Sequence, residues 1–270
     1  MTRHFIIRRI VPLLGIAALA GTTPNFAGAS VIVSDSFTTG TVGGNISGRT
    51  PDTTDAPGTT WAQNGYPGYA NDIVSSPSSS LQLGAEAGDG IALTGVTSTA
   101  YALSYRFNIS GDTPNTGSGS GSGLGFFRNA TTTGSPGSTA GFTGVLVSMA
   151  GAVSLLNNGA SVATATISSF AVSATHSLSY DVNTTTGSIS NLLLDGNGVT
   201  LTGTTTGIFK GSNINEFGIT NNAGGYGNSY DYINNAIISA PTAVPEPASL
   251  GLLAVGSAGL LLAGRRKLRA

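Results

Sequence analysis

The sequence has no cysteine and few charged residues. Lys and Arg together number 11 and Asp and Glu 12 in 270 residues, so only 9% of the chain is charged. Without cysteine there is no disulfide, no thiolate metal ligand and no cysteine nucleophile. The formal net charge of -1 argues against a nucleic-acid-binding protein, whose affinity depends on clustered Lys and Arg. We therefore expect no nucleic acid among the partners.

The few charges are unevenly distributed. Seven of the 11 basic residues lie at the two ends of the chain. The residues from Ser30 to Val244 contain the other four, together with every acidic residue except Glu246. The chain therefore has an acidic, sparsely charged body between two basic and apolar ends.

The N-terminal end has the three parts of a secretory signal peptide. A basic stretch ends at Arg8 and Arg9, an apolar run extends from Ile10 to Ala20, and small residues follow up to Ala29. The apolar run is too short to span a bilayer comfortably, which argues against an uncleaved anchor. We predict a signal peptide of residues 1–29 that directs the chain to the export machinery and is removed by signal peptidase.

The C-terminal end contains a second targeting element. A linker of residues 241–247 holds Pro245, Glu246 and Pro247, and an uncharged stretch follows at residues 248–264. This stretch predicts a transmembrane helix, and a buried core helix is the alternative. The tail of residues 265–270 should remain in the cytoplasm, because it is basic. Its first three cations are Arg265, Arg266 and Lys267.

The ordered combination of Pro-Glu-Pro, apolar helix and basic cluster resembles the PEP-CTERM anchor of Gram-negative bacteria. The resemblance covers about the last 26 residues. It implies that an exosortase, a membrane-embedded protease-transpeptidase, recognises the tail and processes it near the motif. It also implies an inner-membrane anchor before processing and a cell-surface or extracellular-matrix location afterwards.

The body, residues 30–240, has the pattern of an all-β domain. Large apolar residues alternate with smaller or polar ones in one run, which places them all on one face of a strand: Tyr101, Leu103, Tyr105, Phe107 and Ile109. About a dozen short runs of this kind extend from Val31 to Ile238. Turn residues separate them, including Asn157-Asn158-Gly159 and Asp195-Gly196-Asn197-Gly198. We predict one antiparallel sandwich or barrel, with the glycine-serine run at 117–123 as a flexible hairpin loop.

Several short motifs resemble a concanavalin-like, laminin-G-type jelly roll. They are Asp35-Ser36-Phe37, Arg49-Thr50-Pro51-Asp52 before Trp61, Gly125-Phe126-Phe127, the stretch from His176 to Asp181, Leu194-Asp195-Gly196, and Tyr230-Asp231-Tyr232-Ile233. The resemblance implies an antiparallel jelly-roll β-sandwich whose last strand returns beside the first. It carries no glycosidase residue pattern with it.

Catalytic residues are scarce. His176 is the only histidine after signal removal, and on a strand it and Ser177 face opposite sides, so we expect a structural histidine rather than a catalytic triad. Glycoside hydrolysis needs two carboxylates flanking one bond, but the body has only two glutamates, Glu86 and Glu216. We predict that the protein is not an enzyme.

Two binding hypotheses remain open. Asp52, Asp55, Asp72 and Asp89 lie in loop-rich sequence and could hold Ca²⁺, although they are also typical of solvated loops. The second hypothesis is an aromatic platform for a sugar ring, and its candidate residues are Trp61, Tyr66 and Tyr69. No required cofactor is predicted.

The most consistent interpretation is an exported structural or adhesive protein of the cell envelope or extracellular matrix. A carbohydrate-binding module that recognises exopolysaccharide is the alternative, and a glycan-active enzyme is a distant third. Ordered aromatic side chains on a concave sheet face would favour sugar binding. A convex surface of Ser and Thr without a cleft would favour a structural role.

Overall fold

The computed structural model describes residues 29–39, 41–55, 58–65, 71–74, 80–84, 87–96, 98–111, 121–128, 141–222 and 229–241. These ranges cover most of the predicted body. The predicted transmembrane helix, the basic tail and all of the signal peptide except Ala29 lie outside the described residues. The boundaries of those segments therefore stay predictions.

Within these ranges, the backbone forms seventeen strands and one short 3-10 helix at Gly211–Ile214. The strands are β1 Ala29–Asp35, β2 Thr53–Thr54, β3 Trp61–Gly65, β4 Asn71–Val74, β5 Ser80–Leu83, β6 Ala87–Ala92, β7 Ala100–Gly111, β8 Gly121–Phe127, β9 Phe142–Ser148, β10 Ala152–Asn157, β11 Ala160–Thr166, β12 His176–Asn183, β13 Ser188–Leu194, β14 Asn197–Gly198, β15 Thr202–Gly203, β16 Glu216–Asn222 and β17 Ser229–Pro241.

The strands form two antiparallel sheets. Sheet A has nine strands, in the order β14-β13-β12-β7-β17-β1-β2, with β5 beside the first part of β17 and β4 beside β5. Sheet B has eight, in the order β15-β11-β10-β9-β8-β16-β6-β3. Neighbouring strands come from distant parts of the chain, and the last strand lies beside the first. The predicted antiparallel jelly-roll sandwich is confirmed.

The alternating pattern of β7 builds the core of sheet A. Its five large apolar side chains, from Tyr101 to Ile109, are at most 3% exposed, whereas Arg106 between them is exposed. Leu178 and Tyr180 of β12 and Ile233 of β17 lie on the same buried face. Sheet B completes this core with inward side chains, among them Leu124, Phe126, Val145, Phe217 and Ile219.

Sheet B also carries a row of glycines on its other face. Paired positions of four neighbouring strands form the row, which comprises Gly90, Gly218, Gly125 and Gly144. A Cβ at Gly218 would lie 2.3 Å from Cδ2 of Phe127, so the ring of Phe127 lies where a side chain would otherwise project. The rings and apolar chains on this face form a second buried cluster of Phe127, Phe142, Leu146 and Leu156.

The predicted turns are confirmed where two residues with positive φ connect two strands. Asn158 and Gly159, with φ of 51° and 84°, join β10 to β11, and Asp195 and Gly196, with φ of 53° and 75°, join β13 to β14. Consecutive positive φ values give the turn that matches the twist of a hairpin. Asn197 and Gly198 form β14 and are not part of that turn.

Two glycine-rich segments were misjudged from the sequence. The predicted flexible loop at 117–123 is wrong for Gly121, Ser122 and Gly123, which are buried in β8; residues 117–120 lie outside the described part. The loop expected around Asp89 is also wrong, because Asp89 lies in β6 (Ala87–Ala92) and the chain turns only after Leu93. Glycine weakens strand propensity, but these strands are held by neighbours on both sides.

The first and last strands of the body lie side by side in sheet A. β17 pairs with β1 such that Ala29 lies opposite Pro241 and Ser30 opposite Ala240. The first half of β17 pairs with β5, and β7 runs along its other side. The last strand therefore lies inside sheet A and pairs with three other strands.

Candidate functional site

A network of side-chain hydrogen bonds lies at the end of β1. The Asp35 carboxylate accepts hydrogen bonds from the backbone N–H of Phe37 at 2.9 Å, the Trp61 indole N–H at 2.8 Å and the Arg49 guanidinium at 2.6 Å. Arg49 also donates to Asp52 at 3.0 Å. This network joins the jelly-roll motifs around Asp35, Arg49 and Trp61, which are far apart in sequence.

The two carboxylates of this network differ in their pKa. Burial raises the pKa of Asp35 above its ordinary value, although the Phe37 amide, the Trp61 indole and the Arg49 charge oppose the rise. Partial burial also acts to raise the pKa of Asp52, but hydrogen bonds from Ser36 and Thr39 and the charge of Arg49 hold it below its ordinary value. The network therefore has a structural role, in which the Arg49 charge offsets part of the cost of burying the Asp35 carboxylate.

The predicted sugar platform is wrong for Trp61. Its side chain is 1% exposed and packs between Phe37 and Phe217, with ring centroids 5.6 and 6.2 Å away. Its N–H is directed to Asp35, so it presents no face to a ligand. Tyr66 and Tyr69 lie outside the described residues, and their part in the hypothesis stays a prediction.

The aspartates suggested for Ca²⁺ do not form a cluster. Asp52 is held by Arg49, and Asp55 accepts a hydrogen bond from Ser30 at 3.4 Å. Asp89 is fully buried in β6, opposite Ile219, and Asp72 belongs to β4 at the edge of sheet A. In the part of the chain that the structure describes, no three His, Cys, Asp or Glu side chains converge as metal ligands.

His176 has a structural environment. It begins β12, is 6% exposed and stacks on Phe170 at 4.1 Å. Its Nδ1 lies 2.7 Å from Oδ2 of Asp195 and its Nε2 lies 2.8 Å from the carbonyl oxygen of Ala171. Both ring nitrogens are occupied, so His176 has no free nitrogen with which to activate Ser177.

A groove of about 400 Å³ crosses the outer face of sheet A. Short side chains from three strands line it, namely Ala102, Ser104, Ser179 and Ser239. Asp181 and Asn191 stand beside them, and the Asn191 amide donates to Oδ2 of Asp181 at 2.6 Å. Asn191 has a φ of 51° beside a register shift in the β12–β13 pair, a bulge that re-aims its side chain. Sequence patterns did not identify this groove.

The sorting motif begins immediately after the described body. β17 ends at Pro241, and the predicted motif residues Pro245, Glu246 and Pro247 lie outside the described residues, as do Arg265, Arg266 and Lys267. Among the residues that are described, no helix has the length and apolarity needed to cross a membrane.

Comparison with known proteins identifies the tail. Residues 243–267 match the PEP-CTERM protein-sorting motif, which confirms the resemblance seen in the C-terminal sequence. The motif indicates export and membrane anchoring before exosortase processing. No curated protein matches the chain.

Several solved structures are similar in fold at low identity. The carbohydrate recognition domain of Emp47p is 11% identical, with 78% of this chain and 98% of that chain covered and a TM-score of 0.46. Lectin II from Ulex europaeus is 10% identical, with coverage of 68% and 93% and a TM-score of 0.45. Domain 4 of AbnA, a GH43 extracellular arabinanase from Geobacillus stearothermophilus solved with arabinotriose, is 11% identical, with coverage of 79% and 93% and a TM-score of 0.42.

Proposed function

We propose that this chain is a non-catalytic structural or adhesive protein of the cell surface or the extracellular polysaccharide matrix. It is exported by its signal peptide and remains in the inner membrane through residues 248–264. Exosortase then processes the tail near Pro245-Glu246-Pro247 and releases or transfers the β-sandwich.

The pairing of the two ends of the body carries this proposal. Ala29, the predicted last residue of the signal peptide, lies opposite Pro241, and the sorting motif begins at residue 243. Signal removal after Ala29 and processing near residue 245 would both leave the strands β1 and β17 almost whole. The sandwich is thus a complete unit between two removable targeting segments.

The chemistry of the described residues supports a non-catalytic role. The ring nitrogens of His176 are both occupied by acceptors, and Glu216 is buried at 6% exposure in β16. The outer face of sheet A instead offers short hydroxyl side chains, which suit contacts with a hydrated polymer.

Changing Pro245, Glu246 and Pro247 to three alanines should block processing. Without the prolines, helical structure is free to extend upstream from Ala248, which removes the extended segment that a membrane protease binds. In a host with a matching exosortase, the variant should accumulate at full length in the inner membrane. Membrane fractionation and intact-mass measurement check this result.

Thr242→Ala is the matched control, because residue 242 precedes the sorting motif. It should be processed like the parent, and both should stay at full length in a host that lacks exosortase. Normal processing of the triple-alanine variant would contradict the assignment of the recognition segment.

A carbohydrate-binding module is the second candidate function, and the groove beside Asp181 and Asn191 favours it. A carboxylate accepts hydrogen bonds from sugar hydroxyls, and an amide both donates and accepts. The Ala and Ser floor leaves room for a ring to approach the strands. In this alternative, exopolysaccharide is the ligand of the outer face of sheet A.

Glycan-array binding of the full-length protein tests this alternative. We expect Asp181→Ala to weaken binding at least about tenfold, since a hydrogen bond to a charged group contributes about 1.5–3 kcal/mol. Asp55→Asn, which changes an exposed carboxylate directly after β2, should bind like the parent. An array without any binding by the parent would leave the structural role as the function.

A further inference from the structure

Asp231 carries a carboxyl group that is buried in the interior of the sandwich. It lies in β17 opposite Ile109 of β7 and Leu83 of β5, and its side chain is 0% exposed. A buried ionised carboxylate is strongly unfavourable unless another group offsets its charge. Asp231 therefore needs either a basic partner or a proton.

The basic residues of the body do not pair with Asp231. Residues 30–240 contain four of them, and the structure describes all four: Arg49, Arg106, Arg128 and Lys210. Arg49 is paired with Asp35 and Asp52. The other three are exposed, so their charges lie in solvent and not between the two sheets. No described basic residue forms an ion pair with Asp231.

The other titratable groups on the strands around Asp231 do not supply a positive charge either. Apart from those on the outer face of sheet A, they are Tyr101 and Tyr105 of β7, His176 and Tyr180 of β12, Asp35 of β1, Asp72 of β4, Asp89 of β6 and Glu216 of β16. His176 is the one base in this set, and both of its ring nitrogens already have partners. The others are acids, so a proton is the group available to offset the charge of Asp231.

Two hydroxyl groups connect Asp231 to both sheets. The Tyr105 hydroxyl of sheet A donates to Oγ of Ser122 in sheet B at 2.8 Å. Burial raises the pKa of Asp231 well above its ordinary value, and a hydrogen bond from Ser122 opposes this rise only in part. Burial also raises the pKa of Tyr105, and the charge of Asp231 adds to that rise. Ionisation of Asp231 would therefore place a charge in a hydrogen-bonded contact between the sheets.

We propose that Asp231 forms a pH-sensitive contact between sheets A and B. Its carboxyl group is protonated in the folded protein, and loss of that proton releases the first part of β17 from sheet B. A proton fits this position, because a neutral carboxyl group needs neither a basic partner nor a cavity around it. The inference goes beyond the proposed function, since it concerns how the sandwich responds to the pH of its surroundings.

The strand pairing shows which part of sheet A would open. The first part of β17 pairs with β5 through Asp231, Tyr232 and Ile233, and β4 joins the sheet through β5. The second part of β17 pairs with β1, beyond a register shift between Asn234 and Ile237. Ionisation of Asp231 therefore acts on β4, β5 and the first part of β17, which can open locally while the pair of β1 and β17 persists.

The direction of the pH effect follows from the two pKa values of Asp231. In an opened segment the pKa returns to about 3.9, the ordinary value of aspartate, whereas in the folded protein burial raises it. The opened segment therefore releases the proton first as the pH rises. Opening is least favourable below about pH 4, and its equilibrium constant grows about tenfold per pH unit until the pH reaches the pKa of the folded state.

Amide hydrogen exchange of the full-length chain in non-ionic detergent tests the contact. In the parent, the protection factors of the β5 amides should fall about tenfold per pH unit between about pH 5 and pH 7. Those of β10, in the middle of sheet B, should change much less. Asp231→Asn should make β5 protection independent of pH, because the amide side chain does not ionise. Asp181→Asn, a change on the outer face of sheet A, should respond like the parent.

Infrared spectroscopy detects the proton directly. At pH 7, the difference spectrum between the parent and Asp231→Asn should contain the C=O stretching band of a protonated carboxyl group. If Asp231→Asn does not fold, Asp231→Leu takes its place in both experiments, because leucine has the same branched shape and no titratable group.

Two results would overturn the proposal. In the first, the infrared difference contains carboxylate bands in place of the protonated carboxyl band, and Asp231 would then be ionised in the folded protein. In the second, β5 protection in the parent does not fall with pH, or it falls equally in Asp231→Asn. Asp231 would then not control the opening of this part of sheet A.

Discussion

Replacing Arg49 with methionine is expected to destabilise the folded protein by about 3 kcal/mol. Arg49 is 14% exposed and Asp35 0% exposed, and their side chains are 2.6 Å apart. Removing one partner of a buried ion pair leaves the other charge uncompensated, which costs about 3–5 kcal/mol. Methionine keeps much of the length and the apolar contacts of the side chain, so the loss reports mainly on the charge.

The loss should depend on pH. Burial raises the pKa of Asp35 in the folded protein, so as pH rises the unfolded chain releases this proton first and stability falls. The Arg49 charge limits the rise in the pKa of Asp35. Without Arg49, the loss of stability with rising pH is therefore larger and extends to higher pH. Denaturant unfolding should therefore show a greater loss for Arg49→Met at pH 7 than at pH 4.

Arg106→Met is the matched control, since Arg106 is exposed on the outer face of β7. Its stability should stay within about 0.5 kcal/mol of the parent, as for most surface substitutions. An equal loss for the two variants, or no pH dependence for Arg49→Met, would show that Arg49 does not stabilise Asp35.

Replacing Gly125 with alanine is expected to cost about 3 kcal/mol or more, and it should reduce the yield of folded protein. A Cβ at Gly125 would lie 2.4 Å from the carbonyl oxygen of Thr143 and 2.6 Å from Cα of Gly144. Both atoms belong to the backbone of the neighbouring strand and cannot move without displacing β9. Overpacking a fixed core commonly costs about 1–3 kcal/mol, and a backbone clash costs more.

Gly198→Ala provides the control within the same sandwich. Gly198 lies in the exposed strand β14, and a Cβ there meets no atom within 4 Å. Its stability should match or slightly exceed the parent, because alanine restricts the unfolded chain. Equal stability of the two variants would mean that β8 and β9 are not packed as closely as the structure shows.

The sequence predicted those parts of the fold that depend on local patterns. The run from Tyr101 to Ile109 gave β7, because period-two alternation places one set of side chains on one face whatever the partner strand is. Asn158-Gly159 and Asp195-Gly196 gave hairpins, because positive φ is a local requirement. The tail was predicted for the same reason, since its three elements follow one another in sequence.

Features that depend on distant neighbours were missed. β6 begins with Ala87-Gly88-Asp89-Gly90. Its glycines are typical of a loop, and only the neighbouring strands on both sides hold this segment in a strand. The sequence indicated Trp61 as a possible sugar platform. Its contact with Asp35 could not be predicted, because only the folded chain brings the indole N–H to that carboxylate. The sequence did not predict the polar groove on the outer face of sheet A, because its lining comes from several strands. It did not predict the burial of Asp231 either, because the pattern around Asp231 predicts a strand but not which sheet covers it.

Intact-mass measurement of the protein extracted from the surface of a host with a matching exosortase tests the central claim most directly. The account predicts a species that begins at Ser30, has lost Ala248 to Ala270 and retains the sandwich through Pro241. A surface species that still contains Arg265 to Ala270 would contradict transient anchoring and would define a permanently anchored envelope protein.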